Sequence, residues 1–350
     1  MSAVPSPAPT GDYLPTPPSE PPKSTVSAKE ATVYLHTPFH PKAELYAESR
    51  FKKVLRFGDA SEEELMGQVD GILLRTGHVT RSMILNAPNL RIIARNGVGY
   101  DNVDKPTVKE KGVIVTNCPG GNSQAVAELA LTLMLSLLRR VLEIDHRIRS
   151  GERVPSIRAL SPGLFGKTVA LVGMGDTSYE LAKLLLSFNC TILAYSPTSS
   201  KERWTSEDTK YPVTIPHTRF DSLEEMLGKC DVLSLHCPLT SETRGLIGEK
   251  EIGWMKSDAI LVNTARGGIV DERALEKKLK AGELGGAGLD VWDVEPPFGE
   301  SLGELGKMLN VICLPHLGGS TDGVTLEGCT TAIDIMADYF DGKDLRNRVL

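Results

Sequence analysis

Residues 166–196, GKTVALVGMGDTSYELAKLLLSFNCTILAYS, constrain this chain more than any other stretch, because they read as strand, glycine turn, helix and second strand in one unbroken run. Val169–Val172 is a short apolar run, and the residues from Tyr179 to Leu186 keep an apolar helical face. Gly173-Met174-Gly175 therefore sits where a strand feeds a helix N-terminus. Glycines there let the backbone approach an anion, and the unpaired N–H groups of the first turn, with the helix dipole, favour phosphate. A dinucleotide pyrophosphate fits such a turn. The alternative is an ordinary α/β crossover whose glycines only make the bend.

Three residues depart from the full form of a dinucleotide turn. Ser178 stands where a third glycine would let helix and strand pack closely. Ser196 stands at the end of the second strand, about 20 residues on, where an acidic side chain would hold ribose hydroxyls. Asp176 puts a carboxylate in the first helical turn, which suits the dipole but repels a pyrophosphate. Other stretches must decide what the turn is for.

The length of 350 residues allows two domains, and 41% hydrophobic with 24% charged residues is the make-up of a globular chain with a sizeable core. The 39 basic and 45 acidic residues give a formal charge of −6 with no basic block, which argues against nucleic acid and acidic membrane as partners. Cys118, Cys190, Cys230, Cys237, Cys313 and Cys329 are scattered without C-x-x-C spacing, so buried free thiols are expected, with neither disulfides nor a metal site. The longest apolar stretch, around Ala125–Leu138, is too short to span a bilayer. The N-terminus lacks a basic and then apolar leader and carries Asp12 and Glu20, so a cytoplasmic location is expected.

Residues 1–28 are rich in Pro, Ser and Thr and predict a disordered tail, within which Pro15-Thr16-Pro17-Pro18 and Pro21-Pro22 could serve as a proline-motif ligand. Short strands and helices then alternate: strands at Thr32–Leu35, Lys53–Leu55, Gly71–Leu74, Leu90–Ala94 and Val113–Thr116, helices near Ser61–Gly67, Thr80–Asn86 and Lys105–Lys111. This predicts a first α/β domain over 29–120, ending at Pro119-Gly120-Gly121. Asn122 is expected to cap a long amphipathic helix through Arg139 or beyond, with a polar continuation from Glu143 to Glu152 that reads as a bridge or subunit arm. Six more strands follow, at Thr168–Val172, Thr191–Tyr195, Val232–Leu235, Ile260–Asn263, Ala287–Val291 and Val311–Leu314, predicting a second domain over 121–316 inserted in the first. Residues 317–350, with a helix near Thr325–Phe340, are expected to return to the first domain.

Three loops of the second half each follow a strand, at the carboxyl edge where parallel sheets place their ligands. Asn263-Thr264-Ala265-Arg266-Gly267-Gly268 offers a planar cation suited to a carboxylate or carbonyl. Asp290-Val291-Trp292-Asp293-Val294-Glu295-Pro296 offers carboxylates, and Leu314-Pro315-His316-Leu317-Gly318-Gly319 an imidazole. Histidine is the natural proton donor near neutral pH, and a carboxylate on its second nitrogen fixes its tautomer, so Glu295 and His316 read as a pair. Taken singly, each residue has a plainer reading: Arg266 a surface ion pair, Glu295 a loop cap, His316 a satisfied histidine near a turn. Their shared sheet edge favours one site.

In order and spacing, NTARG at 263–267, DVWDVEP at 290–296 and PHLGG at 315–319 resemble the D-isomer-specific 2-hydroxyacid dehydrogenases. Asp231…His236-Cys237-Pro238-Leu239-Thr240…Thr243 and the RNGVGYDNVD run at 95–104 are similar to that family as well, so the resemblance covers roughly Val33 to the C-terminus. It implies α/β architecture with two doubly wound parallel-sheet domains, a flavodoxin-like substrate domain and a Rossmann nucleotide domain, hinged around a cleft. It assigns His316 as acid/base, Glu295 as its partner, Arg266 to orient the substrate, and the Gly97–Val98 backbone to receive the substrate carboxylate. By the same route Gly173, Gly175, Cys237, Pro238, Thr243, Ala265, Asp290 and His316 line the cofactor, Asp290 meeting the nicotinamide carboxamide, and the candidate set extends to Asp176, Thr177, Ser178, Ser196, Thr264 and Gly318.

The expected reaction is reversible hydride transfer between a nicotinamide and a small 2-oxo acid. The cofactor is NAD or NADP: Ser196 lacks the repelling carboxylate, and Thr198, Ser199, Ser200, Lys201 and Arg203 offer donors to a 2′-phosphate, unless those cations belong to a solvated loop. Arg75 and Arg95 resemble the arginines near the phosphate in phosphoglycerate dehydrogenases and are candidate substrate contacts or salt-bridge partners. Glu295 argues against a formate dehydrogenase, where a Gln–His pair is usual. Serine feedback through a C-terminal regulatory domain is not expected. A homodimer through the Ala125–Glu152 segment is expected. The rival readings are a nucleotide-sensing protein like the corepressors of this fold and an inactive scaffold.

Overall fold

The computed structural model describes residues 25–119 and 121–350. The two proline motifs of the N-terminal tail, and Gly120, lie outside the described residues. The chain divides into two compact units, one running to Cys118 and taking in Cys329–Leu350, the other formed by Pro119–Gly328.

In the first unit, short aliphatic runs bounded by turn residues form β1 (Thr32–Leu35), β2 (Lys53–Arg56), β3 (Gly71–Leu74), β4 (Ile92–Arg95) and β5 (Ile114–Thr116). They pair in parallel in the order β2-β1-β3-β4-β5, the flavodoxin-like arrangement. Crossovers run through α1 (Pro41–Arg50), α2 (Glu62–Met66), α3 (Arg81–Leu85) and α4 (Lys105–Lys111). Ser61 closes a capping box with Glu64, and Thr80 and Asp104 each accept an N–H of the first turn of their helix. The α1 helix is absent from the sequence reading because it buries only Ala43 and Ala47, too thin a stripe to stand out as periodic. The expected tail also ends too late: Ala28 is already buried, and its N–H donates to Asp341 Oδ1 at 3.0 Å.

In the second unit, β6 (Thr168–Val172), β7 (Thr191–Tyr195), β8 (Thr218–Phe220), β9 (Val232–Leu235), β10 (Ile260–Asn263), β11 (Gly286–Leu289) and β12 (Val311–Cys313) pair in parallel in the order β12-β11-β10-β9-β6-β7-β8. Read outward from β6, this is the Rossmann order with one further strand at the β12 edge. The expectation of six strands misses β8, three residues with arginine at the centre, which take strand form by pairing with β7.

Facing this sheet is α5 (Ser123–Leu138), close enough that a Cβ on Gly288 of β11 would lie 3.1 Å from Leu133 Cβ. Two expectations for α5 are corrected. Asn122 occupies the N-cap but makes no side-chain cap hydrogen bond, and the helix stops at Leu138, where Arg140 turns left-handed with φ 54° and α6 (Val141–Arg149) starts anew. The remaining helices are α7 (Asp176–Leu186), α8 (Leu223–Leu227), α9 (Glu249–Trp254), α10 (Glu272–Lys280) and α11 (Asp322–Phe340). The second boundary between units falls inside α11, at Gly328–Cys329 rather than at 316–317, because the helix is continuous from Asp322. Its later half packs on the first sheet: a Cβ on Gly71 would meet Met336 Sδ at 2.7 Å.

Candidate active site

The imidazole is placed by β11 and β12. Asp290, just past β11, is fully buried, and its two oxygens accept the N–H groups of Leu317 at 2.6 Å and Gly318 at 2.8 Å, while its carbonyl accepts the His316 N–H at 2.8 Å. Burial raises the Asp290 carboxyl above its usual range, although those N–H groups and His316 pull the other way. Asp290 thus holds the histidine loop, a structural duty additional to the expected contact with a carboxamide, since each carboxylate oxygen can accept a second donor. His316 is left-handed, with φ 62°, a conformation that costs energy in a non-glycine residue and persists only where its surroundings impose it.

His316 Nδ1 and Glu295 Oε2 are 2.8 Å apart. Burial opposes ionisation of Glu295, but the His316 hydrogen bond and charge, the Trp292 N–H and the charge of Arg266 together hold its carboxyl below the usual range. An ionised carboxylate only accepts, so Nδ1 carries the proton and Nε2 is the nitrogen left for chemistry. The loop carrying Glu295 is fixed by Trp292, whose Nε1 donates to the Leu314 carbonyl at 2.9 Å and whose N–H reaches Glu295 Oε1 at 3.2 Å. Arg266 belongs to the turn after β10, where Asn263 binds the Ala265 N–H at 3.0 Å and the Arg266 carbonyl at 2.9 Å through its side chain. Gly267 is obligatory there, because a Cβ would stand 1.9 Å from the Trp292 carbonyl oxygen. The guanidinium, glutamate and imidazole thus meet at one edge of the second sheet.

The glycine turn lies at the end of β6, between β7 and β9, where the strand order reverses. Gly173 has φ 99°, and a Cβ on it would stand 2.7 Å from the His236 carbonyl oxygen, so chain packing requires this glycine. Gly175 is different. A Cβ on it would meet nothing within 4 Å, so the protein itself leaves room there for a phosphate to approach the helix. Thr264 Oγ1, beyond β10, is buried without a hydrogen-bond partner, a second sign that a ligand completes this edge. The donor set fits a dinucleotide.

Thr177 follows Asp176 in the first turn of α7. Ser178 is fully buried and donates to the Gly175 carbonyl at 3.1 Å, so it serves the helix and is corrected from a cofactor contact. Ser196 is also buried, its hydroxyl 2.8 Å from that of Ser199. Burial raises the Cys237 thiol to about 11, keeping it neutral, and Thr243 donates to the Pro238 carbonyl at 2.6 Å to shape the turn after β9. His236, in the same turn, is pushed down to about 4 by desolvation and is a neutral ring beside Ser234, not a proton donor. Arg203 is not part of a free cationic loop: it lies over the Tyr211 ring and 3.8 Å from Asp208, whereas Lys201 is exposed.

In the first unit, Arg95 closes β4 and its neighbour across the ladder is Leu74, so Arg75 and Arg95 stand at adjacent strand ends. Arg75 Nε donates to the Pro38 carbonyl at 2.9 Å. Gly97 has φ 135°, and a Cβ there would strike Arg95 Nη1 at 2.7 Å. The carbonyls of Gly97 and Val98 are tied to the Cys118 N–H at 3.0 Å and Asn117 Nδ2 at 2.8 Å, which fixes this turn.

Comparison with known proteins decides what the geometry leaves general. Residues 131–318 match the family described as D-isomer specific 2-hydroxyacid dehydrogenase, NAD binding domain. The chain belongs to this family. A glyoxylate reductase of Thermococcus litoralis is 42% identical over 265 residues, 74% of this chain and 76% of that protein. A hydroxypyruvate reductase of Thermotoga maritima is 39% identical over 260 residues, 74% and 80% of the two chains. The crystal structure of an NADPH-dependent glyoxylate/hydroxypyruvate reductase of Sinorhizobium meliloti, in complex with NADP and malonate, superposes with a TM-score of 0.77 at 27% identity, covering 91% of this chain and 97% of that one.

As a D-2-hydroxyacid dehydrogenase, the protein takes a nicotinamide dinucleotide in its second unit. Four functional neighbours escape the sequence reading. Arg219 of β8 donates to the carbonyls of Ser196, Ser199 and Ser200 and so fixes the loop after β7. Glu272, whose carboxyl burial raises, accepts the Asp293 N–H at 2.7 Å and steadies the loop that carries Glu295. Lys210 and Tyr211 both reach Asp176. None lies in a motif, and an arginine in a three-residue strand gives no local signal.

Proposed function

We propose that this protein reduces a small 2-oxo acid such as glyoxylate or hydroxypyruvate to the D-2-hydroxy acid, reversibly and with NADPH preferred over NADH. The 2.8 Å contact of His316 with Glu295, made beside Arg266, carries this reading. The bound nicotinamide supplies the hydride. Arg266 forks onto the substrate carboxylate and carbonyl, and His316 Nε2 gives the carbonyl oxygen its proton while Glu295 holds the ring's orientation. Gly97 and Val98 receive the carboxylate through their backbone, and Arg75 and Arg95 accept a further anionic group where the substrate has one. Following NADPH and NADH absorbance with glyoxylate, hydroxypyruvate and 3-phosphohydroxypyruvate tests the reading. Turnover supports it, whereas tight dinucleotide binding without turnover of any 2-oxo acid would point to a sensor instead.

The cofactor preference rests on Ser196, which places no carboxylate against a 2′-phosphate, and on the Ser199 hydroxyl and exposed Lys201 in the loop that Arg219 holds. NADPH is expected to exceed NADH in kcat/KM by about ten-fold or more, the worth of one charge-assisted hydrogen bond. Equal or reversed values would overturn the preference and leave the reaction untouched.

We assign the protein as a homodimer through the α6 region. The α6 helix buries none of its residues, and it exposes Val141, Leu142 and Ile148, with Ile157, Leu160 and Phe165 exposed shortly after it. That much exposed aliphatic and aromatic surface marks a protein contact. Light scattering on the purified protein is expected to give twice the mass of one chain, and Leu142→Glu with Ile148→Glu to give the single-chain mass.

A further inference from the structure

Asp176 poses an electrostatic problem that the loop after β7 answers. It is the first residue of α7, directly after Gly175, where the pyrophosphate of a bound dinucleotide meets the helix dipole, and a carboxylate repels that ligand. The 197–217 loop folds back onto α7. Trp204 is fully buried, Tyr211 stacks on Tyr179 with ring centroids 4.3 Å apart, and the Tyr179 hydroxyl accepts the Val213 N–H at 2.8 Å. Asp208 fixes the tip by accepting the N–H groups of Trp204 at 2.7 Å and Lys210 at 2.9 Å. The result places two donors on one oxygen of Asp176: the Tyr211 hydroxyl at 2.6 Å and Lys210 Nζ at 2.6 Å.

We propose that Lys210 is the cation that binds the dinucleotide pyrophosphate, and that Asp176 and Tyr211 are positioning residues that hold its ammonium at the glycine turn. This rests on the dinucleotide reading of the second unit and deepens it. An ammonium has three donors, of which Asp176 engages one and the Tyr211 hydroxyl a second, so one is left for a ligand. The Lys210 side chain is 55% exposed, so a ligand can reach it. The open space over Gly175 is on the same first turn. Asp176 thus works as a tether: its charge is cancelled by the lysine it anchors, and the one remaining donor is held beside the first turn of α7, where an anion can take it. The same ion pair seen as mere surface structure would leave dinucleotide affinity unchanged on removal of the lysine.

The test is fluorescence titration of NADH and NADPH into the full chain, its Lys210→Met variant and the Lys210→Met/Asp176→Arg double variant, with thermal melting of each free protein. Lys210→Met is expected to weaken both cofactors alike, on the order of ten-fold, with little change in the melting of the free protein. Asp176→Arg in that background restores a cation at the turn and is expected to recover most of the loss. Unchanged affinity in Lys210→Met overturns the proposal, as does a loss confined to NADPH, which would put the lysine on the 2′-phosphate. A double variant that stays folded and recovers nothing also overturns it. If the unaltered chain binds neither dinucleotide, the dinucleotide reading falls and this proposal with it. Binding by the unaltered chain and by Lys210→Met at equal strength removes this proposal alone.

Discussion

Replacing His316 by alanine is expected to lower kcat for 2-oxo acid reduction by about 10²–10⁴-fold, the range supplied by one positioned proton donor, while NADH and NADPH titrations stay largely intact. The size follows from geometry. Glu295 holds Nδ1 at 2.8 Å, the Asp290 carbonyl and carboxylate hold the backbone of residues 316–318, and the ring therefore presents Nε2 in one orientation. Alanine leaves the Asp290 anchors in place, so the loss is chemical and not structural. Glutamine at 316 donates hydrogen bonds but no proton, and should be no better than alanine. Measured kcat equal to that of the unaltered enzyme would remove the acid/base role from His316.

Arg266→Leu is expected to lower kcat/KM by about 10²–10⁴-fold, because two charge-assisted hydrogen bonds to the substrate are lost together. Lysine at 266 keeps the charge but not the fork, and is expected to recover only part of that loss. The substitution removes a second thing as well. The charge of Arg266 helps keep Glu295 ionised, so its loss weakens the carboxylate that orients His316. The damage should therefore reach kcat as well as KM, and a rise in KM alone would confine Arg266 to substrate binding.

Among the elements that announce themselves in the sequence, the plainest are those whose burial is complete. Strands such as Gly71–Leu74, Val232–Leu235 and Ile260–Asn263 are buried at every position, and an unbroken apolar run between turn residues betrays them. The candidate site residues Arg266 and Glu295 are legible because each follows such a strand, and His316 because it follows the shorter, partly buried β12. What stays hidden depends on contacts between distant residues. The three residues of β8 become a strand only by pairing with β7, and α1 shows too thin a buried stripe. Asp290 looks like a ligand contact by position, and only its bonds to Leu317 and Gly318 reveal a clamp. Likewise Asp176 reads as a misplaced charge until Tyr211, 35 residues away, closes on it.

The grip of Arg219 on the carbonyl groups of Ser196, Ser199 and Ser200 separates the loop's conformation from its side chains. Backbone oxygens are present whatever residue occupies 199 or 200, so exchange of those side chains leaves the anchor intact. A library aimed at trading one coenzyme for the other is best concentrated at Ser199, Ser200 and Lys201 with the arginine untouched, since specificity there can drift without unravelling the scaffold beneath it.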